Sequence, residues 1–389
     1  MTDASFDASS AVVVTGLGLH GGFGDLDSTW QALSEGRSAL VPSHRIADAP
    51  DLPLGCAVPA AKIDLSGYVA DRKTTKYMSD TTAMAVLAAG RALEDAGLLD
   101  DQIACAGLAL YMATSHIAFD LSQAVAALGE TSETHLRELG QEGLRRCNPL
   151  LPFKLLLNMP LGLVSIVFGI RGPNFILYPG AEQGALALDA AVRGISAGRF
   201  SRALVGGSAQ MLSLSPLLLQ GRSRLLAASP ESARPYRPGH VGYAPADQAA
   251  FLVLESGPAA AERGRKPYAT VGRISVGVAA DEPLRRLGEA APDAIVTTGN
   301  RDEVQDSQDL RTCEAAWPRA TLASFDGQLG FGGAASFLTS TVLACRALGA
   351  GTLPTEHLGS SSLRSLARVL ATFQDSDSAA AVSLHRGPA

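Results

Sequence analysis

GPNFILYPGAEQGALALDAAVRGISAGRFSRALVGG, residues 172–207, is the stretch whose pattern decides the fold class. It predicts a strand over Phe175–Tyr178, a helix over Gly184–Ala197 and a strand over Arg202–Val205 closed by Gly206-Gly207. A further apolar strand is predicted over Ala249–Glu255. Upstream, the β-branched run AVVVT (11–15) predicts the first strand, ended by Gly16, and a helix is expected from about Ser28 to Glu35. TTAMAVLAAGRALEDA (81–96) carries apolar residues at helical spacing and stops at Gly97, which predicts an amphipathic helix. A strand near Leu108–Met112 and a helical stretch from about Phe119 to Leu128 follow. The proline-bearing stretch Pro42–Pro59 reads as a surface loop. Downstream the alternation repeats, with strands at Ala269–Val278, Ala294–Thr297 and Ala320–Ser324, a helix over Gly333–Leu348 and a last strand over Ala379–Leu384. Strand and helix alternate throughout, so the class is α/β. The polar segment GPAAAERGRK (257–266) divides the chain into halves, 1–256 and 257–389, although the letters of the two halves are too dissimilar to establish a duplication.

The 389 residues are 47% apolar and 18% charged, enough for a sizeable core and unlike a disordered chain. The net charge of −6 lacks the clustered basic footprint that nucleic acid requires. The five cysteines (Cys56, Cys105, Cys147, Cys313, Cys345) are scattered, with no C-x-x-C pair, so neither a disulfide framework nor a metal site is expected. The opening MTDASFDASS is polar and acidic, unlike a signal peptide. The longest apolar run, Leu155–Ile170, is broken by Asn158, Pro160 and Gly162, falls short of the ~18 residues a bilayer needs and reads as core. A cytoplasmic protein with no membrane contact is the expectation.

TGLGLHG (15–21) fits G-x-G-x-x-G after a strand, but no second strand ending in an acidic residue follows at about 20 residues, so it reads as a tight turn rather than a dinucleotide site. No cofactor is indicated. The seven histidines (His20, His44, His116, His135, His240, His357, His385) are dispersed, and each alone reads as surface or structural. His116, just after a predicted strand end (YMATSH), is the best placed for chemistry.

Taken in order, AVVVTGLGLH, RKTTKYMSDTTAMAVLAAGRALEDAGL, SIVFGIRGPN with the following helix and ALVGGSAQ, GYAPADQAAFLVLE, SFDGQLGFGGAAS and LGAGTLPTEHL resemble the β-ketoacyl synthase family over nearly the whole chain. The resemblance implies a thiolase-like five-layer αβαβα fold made of two similar halves. It also implies a catalytic set that this chain replaces. The family's T-A-C-x-x-G cysteine falls on Ala181, in YPGAEQG. The histidine of H-G-T-x-T-x-x-x-D falls on Thr298, with Gly299, Asp306 and Asp309 in phase. The lysine and histidine of K-x-x-x-G-H fall on Phe325 and Gly330, and the G-F-G-G oxyanion turn on Gln374-Asp375-Ser376-Asp377. Alanine offers no group to accept an acyl chain.

This pattern resembles the chain length factors of type II polyketide synthases, which pair with an active ketosynthase subunit; Gly242-Tyr243-Ala244-Pro245 is closer to their form of that motif. On that resemblance the chain is expected to be no enzyme itself. It would form a heterodimer with the ketosynthase, meet an acyl carrier protein and shape the tunnel limiting acyl length in polyketide, polyene or fatty acyl synthesis. Ile117, Phe119 and Leu121, after the strand ending near Met112, are the tunnel or interface candidates by position. Two alternatives stay open: an altered chemistry on the same fold using Glu182 or His116, and a free-standing homodimeric acyl-binding scaffold.

Overall fold

The computed structural model describes residues 11–46, 49–115, 134, 137–143, 145, 148–178, 180–220, 226–277, 287, 291–298, 303–354, 366–374 and 378–387. Twelve strands are formed within them: β1 (Val12–His20), β2 (Val41–Ile46), β3 (Ala49–Ala57), β4 (Ala109–Thr114), β5 (Asn174–Leu177), β6 (Arg202–Ala209), β7 (Gln248–Ser256), β8 (Ala269–Gly277), β9 (Ala294–Thr298), β10 (Thr321–Ala323), β11 (Arg368–Gln374) and β12 (Ala379–Arg386). Ten of them make one sheet in the order β10-β9-β11-β12-β8-β1-β7-β6-β4-β5.

Cut between β8 and β1, the two runs of strands have the same pairing. In the first, β5, β4 and β6 are parallel, and β7 and β1 add in antiparallel fashion. In the second, β10, β9 and β11 are parallel, and β12 and β8 add in antiparallel fashion. The duplication that the letters hide is therefore plain in the topology. A short antiparallel contact, Val12–Val14 of β1 against Ala269–Val271 of β8, joins the halves.

Six helices set the layers: α1 (Leu26–Ser34), α2 (Asp80–Asp95), α3 (Met159–Phe168), α4 (Gln183–Ser196), α5 (Glu303–Ala316) and α6 (Ser336–Ala350). Strand residues alternate between faces, and β7 shows the result. Ala250, Leu252 and Leu254 enter a central core with α4 and α6, whereas Ala249, Phe251 and Val253 enter an outer core with α2 and α3. In the second half Ala294 and Val296 face the central core, and Ile295 faces an outer one with Cys313 of α5. Helix, sheet, helix, sheet, helix is the five-layer order. The stretch Gly333–Ala350 has the length and composition to cross a membrane, yet 83% of it is buried inside the fold as a central-layer helix.

The structure changes several local readings. TGLGLHG is no turn: Gly16 and Gly18 lie within β1. A Cβ on Gly16 would stand 2.3 Å from the Ala92 carbonyl oxygen, and one on Gly18 2.0 Å from that of Ala88, so the glycines are where α2 presses its backbone onto the strand. The stretch read as a surface loop forms the β2–β3 hairpin, whose Ile46, Leu54 and Ala57 pack on Leu212 and Leu217. The apolar run read as core is only partly so, because Leu156 is 50% and Ile166 70% exposed. Helix α5 and strand β11 appear in addition to the predicted elements.

Candidate functional site

Parallel strands place their C-terminal ends, and the loops that leave them, on one side of a sheet, where α/β proteins hold ligands. In the first half these ends are Thr114-Ser115, Leu177-Tyr178 and Ser208-Ala209; in the second they are Thr298, Ser324-Phe325 and Gln374. The turn Phe331–Ser336, leading into α6, brings the halves together. Its Ala334 N–H donates to Ser115 Oγ at 2.8 Å, and its Gly332 N–H donates to Ser336 Oγ at 2.9 Å. A Cβ on Gly184 or Gly207 would stand 2.9 or 2.7 Å from the Ala334 carbonyl oxygen, so the start of α4 and the end of β6 accept the turn only as glycine.

Ala181 lies between β5 and α4, buried in the central core with Phe325, Leu329 and Phe331. Beside it Gln183 donates its side-chain N–H to Glu182 Oε1 at 2.8 Å, and the Glu182 carboxylate folds back over Gly180. Thr298, buried at the end of β9, donates its hydroxyl to the Thr372 carbonyl at 3.2 Å. Gly330 has φ +68°, and a Cβ there would stand 2.8 Å from the Ala244 carbonyl oxygen and 2.9 Å from Ala246 Cβ and Val58 Cγ2. The structure therefore gathers Ala181 and Phe325 into one core, ties Thr298 to β11 and sets Gly330 against residues 244–246. Gly330→Ala is expected to lower stability by about 2 kcal/mol, from the left-handed conformation and the backbone contact together. Chemical denaturation checks this, and an unchanged midpoint would contradict it. Ile117, Phe119, Leu121, His116, Gly299 and Asp375–Asp377 lie outside the described residues.

A polar network missed in the sequence lies between the halves. His240, fully buried, shares a 2.6 Å hydrogen bond from Nδ1 to Asp306 Oδ2, while its Nε2–H donates to the Gly242 carbonyl at 2.8 Å. The same carboxylate oxygen accepts the N–H of Tyr236 at 2.6 Å and holds that residue at φ +61°. The Tyr236 hydroxyl reaches Thr297 Oγ1, next to Thr298, at 3.1 Å. Asp247 Oδ1 accepts the N–H groups of Met211 and Leu212; removal from water pushes its carboxyl up to about 7 against those bonds.

An open cleft of about 440 Å³ lies against β1, with Tyr68, Arg91, Glu94, Tyr268 and Arg346 in its wall. Behind it His20 Nε2 donates to the Ala61 carbonyl at 3.1 Å, and Nδ1 accepts from Arg91 at 3.2 Å, which fixes the neutral ring. Burial first, and the Arg91 charge second, lower the His20 pKa from 6.5 to about 4. Across that window the unfolded chain takes up a proton that the folded chain refuses. Stability is therefore present above pH 6.5 and lost as pH falls toward 4, by roughly 3 kcal/mol in full. Asp247, pushed up to about 7, titrates in the same window with the opposite sign, so the His20 slope is read as the difference in urea midpoints between the parent and His20→Gln.

The sequence pattern described as Beta-ketoacyl synthase, N-terminal domain, matches residues 9–260. The chain belongs to the β-ketoacyl synthase family. Curated relatives are the 3-oxoacyl-[acyl-carrier-protein] synthase 2 of Vibrio harveyi, 30% identical over 285 residues (69% of this chain and 63% of the relative), and that of Synechocystis, 28% identical over 264 residues (66% and 60%). The match thus spans about three fifths of the relatives' length. Among solved structures, the ishigamide ketosynthase/chain length factor aligns with TM-score 0.76 at 18% identity, covering 96% of this chain and 98% of that one. A β-ketoacyl synthase from Burkholderia phymatum gives 0.76 at 18%, covering 97% and 99%. A type II polyketide synthase acyl-carrier protein in complex with its ketosynthase bound to the hexaketide gives 0.71 at 16%, covering 97% and 99%. These likenesses show the thiolase-like ketosynthase fold.

One expectation is corrected by these relatives. The replaced positions led to the expectation that the chain is no enzyme, but the curated β-ketoacyl synthase relatives are named as synthases, active enzymes. Three of the four positions, Thr298, Phe325 and Gly330, lie beyond residue 260, outside the matched family region, so their equivalence to catalytic residues rested on the register of short motifs.

Proposed function

We propose that this β-ketoacyl synthase family chain is a subunit of the chain length factor kind, pairing with a second ketosynthase chain during acyl elongation on a carrier protein and shaping the tunnel that limits chain length. In this reading the complex works in the cytoplasm without a cofactor.

The observation that carries the reading is the β5 edge. Among the described residues, the strand that leads into Ala181 is hydrogen-bonded on one side only, to β4, and leaves Phe175 53% exposed. Helix α3, packed against β5, and the segment before it add the exposed side chains of Ile166 and Leu156. An open edge beside apolar surface is what proteins cover with a partner, and permanent interfaces of this kind commonly exceed ~2,000 Å². Phe175→Asp should weaken pairing with a co-expressed ketosynthase at least tenfold in analytical ultracentrifugation. Unaltered pairing would place the interface elsewhere.

Ile117, Phe119 and Leu121 are proposed for the tunnel wall. Phe119→Ala would remove a ring and open space for a longer acyl chain. Each further buried methylene is worth about 0.8 kcal/mol, so two or three would shift the product distribution more than tenfold. The pair carrying Phe119→Ala should make longer products at a similar rate; unchanged length with collapsed yield would assign Phe119 to packing.

A further inference from the structure

Gln328 is 3% exposed, and neither its amide oxygen nor its amide nitrogen has a hydrogen-bond partner among the described residues. Ser324, 8% exposed, likewise leaves its hydroxyl unpaired among them. Gln328 lies in the single helical turn Asp326–Leu329 that follows β10, and Ser324 stands just before it, where the parallel strands of the second half end. On the same turn Phe325 and Leu329 join Ala181 in the central core.

The backbone around Gln328 is tied. The Gln328 N–H donates to the Phe325 carbonyl at 2.9 Å, the Gln328 carbonyl accepts from the Ala39 N–H at 2.9 Å, and the Gly330 N–H donates to the Asp326 carbonyl at 2.8 Å. Burying an amide unpaired costs about 1–3 kcal/mol, whereas leucine, of similar size, would avoid that cost. A natural chain keeps such a group where something bound supplies its partner. Glutamine presents two N–H donors and serine one O–H donor, a set suited to carbonyl oxygens. The buried carboxylate of Asp326 on the same turn opposes an anionic ligand.

We propose that Gln328, with Ser324 just before its turn, is a specificity-determining residue that hydrogen-bonds a neutral carbonyl, ketone or amide, of an acyl thioester bound at the end of β10. The inference rests on the acyl-elongation reading above, but its test is separate from pairing. The full chain and its Gln328→Leu and Gln328→Met variants would be compared in thermal unfolding without ligand and in calorimetric binding of coenzyme A, butyryl-CoA and acetoacetyl-CoA. Both variants should unfold at the same or a higher temperature, because an unpaired amide has been removed, yet bind acetoacetyl-CoA at least tenfold more weakly. An equal loss for all three probes identifies an amide of the carrier arm as the partner; a loss confined to acetoacetyl-CoA identifies the chain's ketone. The proposal is overturned if both variants unfold at lower temperature, since the amide is then satisfied within the protein, if the three affinities stay within twofold of the parent, or if the parent binds none of the probes. Pairing with a ketosynthase should be unchanged in both variants, so a failure of the pairing reading shows up separately.

Discussion

Glu255→Ala is expected to destabilise the chain by about 3–5 kcal/mol, the range for breaking a buried charge cluster from one side. Glu255, next to last in β7, has no exposed surface and accepts from Thr15 Oγ1 at 2.7 Å, Arg202 Nε at 2.8 Å and Arg263 Nη2 at 3.1 Å. Arg263 also donates to the Ala96 and Gly97 carbonyls at the end of α2, at 2.6 and 3.2 Å. One carboxylate thus ties β1, β6 and the connection between the halves. Removing it strands two guanidinium groups at a crowded junction. Glu255→Gln keeps the volume and an acceptor, so it should cost less than half as much. Equal losses for the two, or a loss under 1 kcal/mol for alanine in urea denaturation, would show the cluster to be incidental.

Asp306→Ala is the second large effect, again about 3–5 kcal/mol. It removes the partner of the buried His240 and the acceptor that keeps Tyr236 in its left-handed conformation. Because His240 and Asp306 act through one hydrogen bond, the double variant with His240→Ala should cost less than the sum of the singles, by about 1–3 kcal/mol. Strict additivity would mean that the two side chains contribute independently.

Much of the fold was legible because it is local. The apolar spacing of TTAMAVLAAGRALEDA and the runs that become β5, β6 and β7 carry their own periodicity, and most predicted ends fall within a few residues of the observed ones. What stayed hidden depends on partners far along the chain. Gly16 and Gly18 look like a turn until α2, some 70 residues on, is seen pressing its backbone onto them. The Pro42–Pro59 stretch looks like loop because its covering residues, Leu212 and Leu217, lie more than 150 positions away. Helix α5 has little apolar stripe, and its anchoring to the other half runs through Asp306 and His240, a pairing no spacing rule reveals. At the candidate site, the motif order led to the right family, but residue spacing has a limit. It could not show that Gly330 is held at positive φ against Ala244, or that Gln328 is buried without a partner among the described residues.

The central claim, a ketosynthase-type subunit built to pair, is met most directly by co-expressing the chain with an intact ketosynthase and weighing the purified complex by native mass spectrometry. The account predicts a one-to-one heterodimer. A chain that stays alone or pairs only with itself in the presence of the ketosynthase would contradict it.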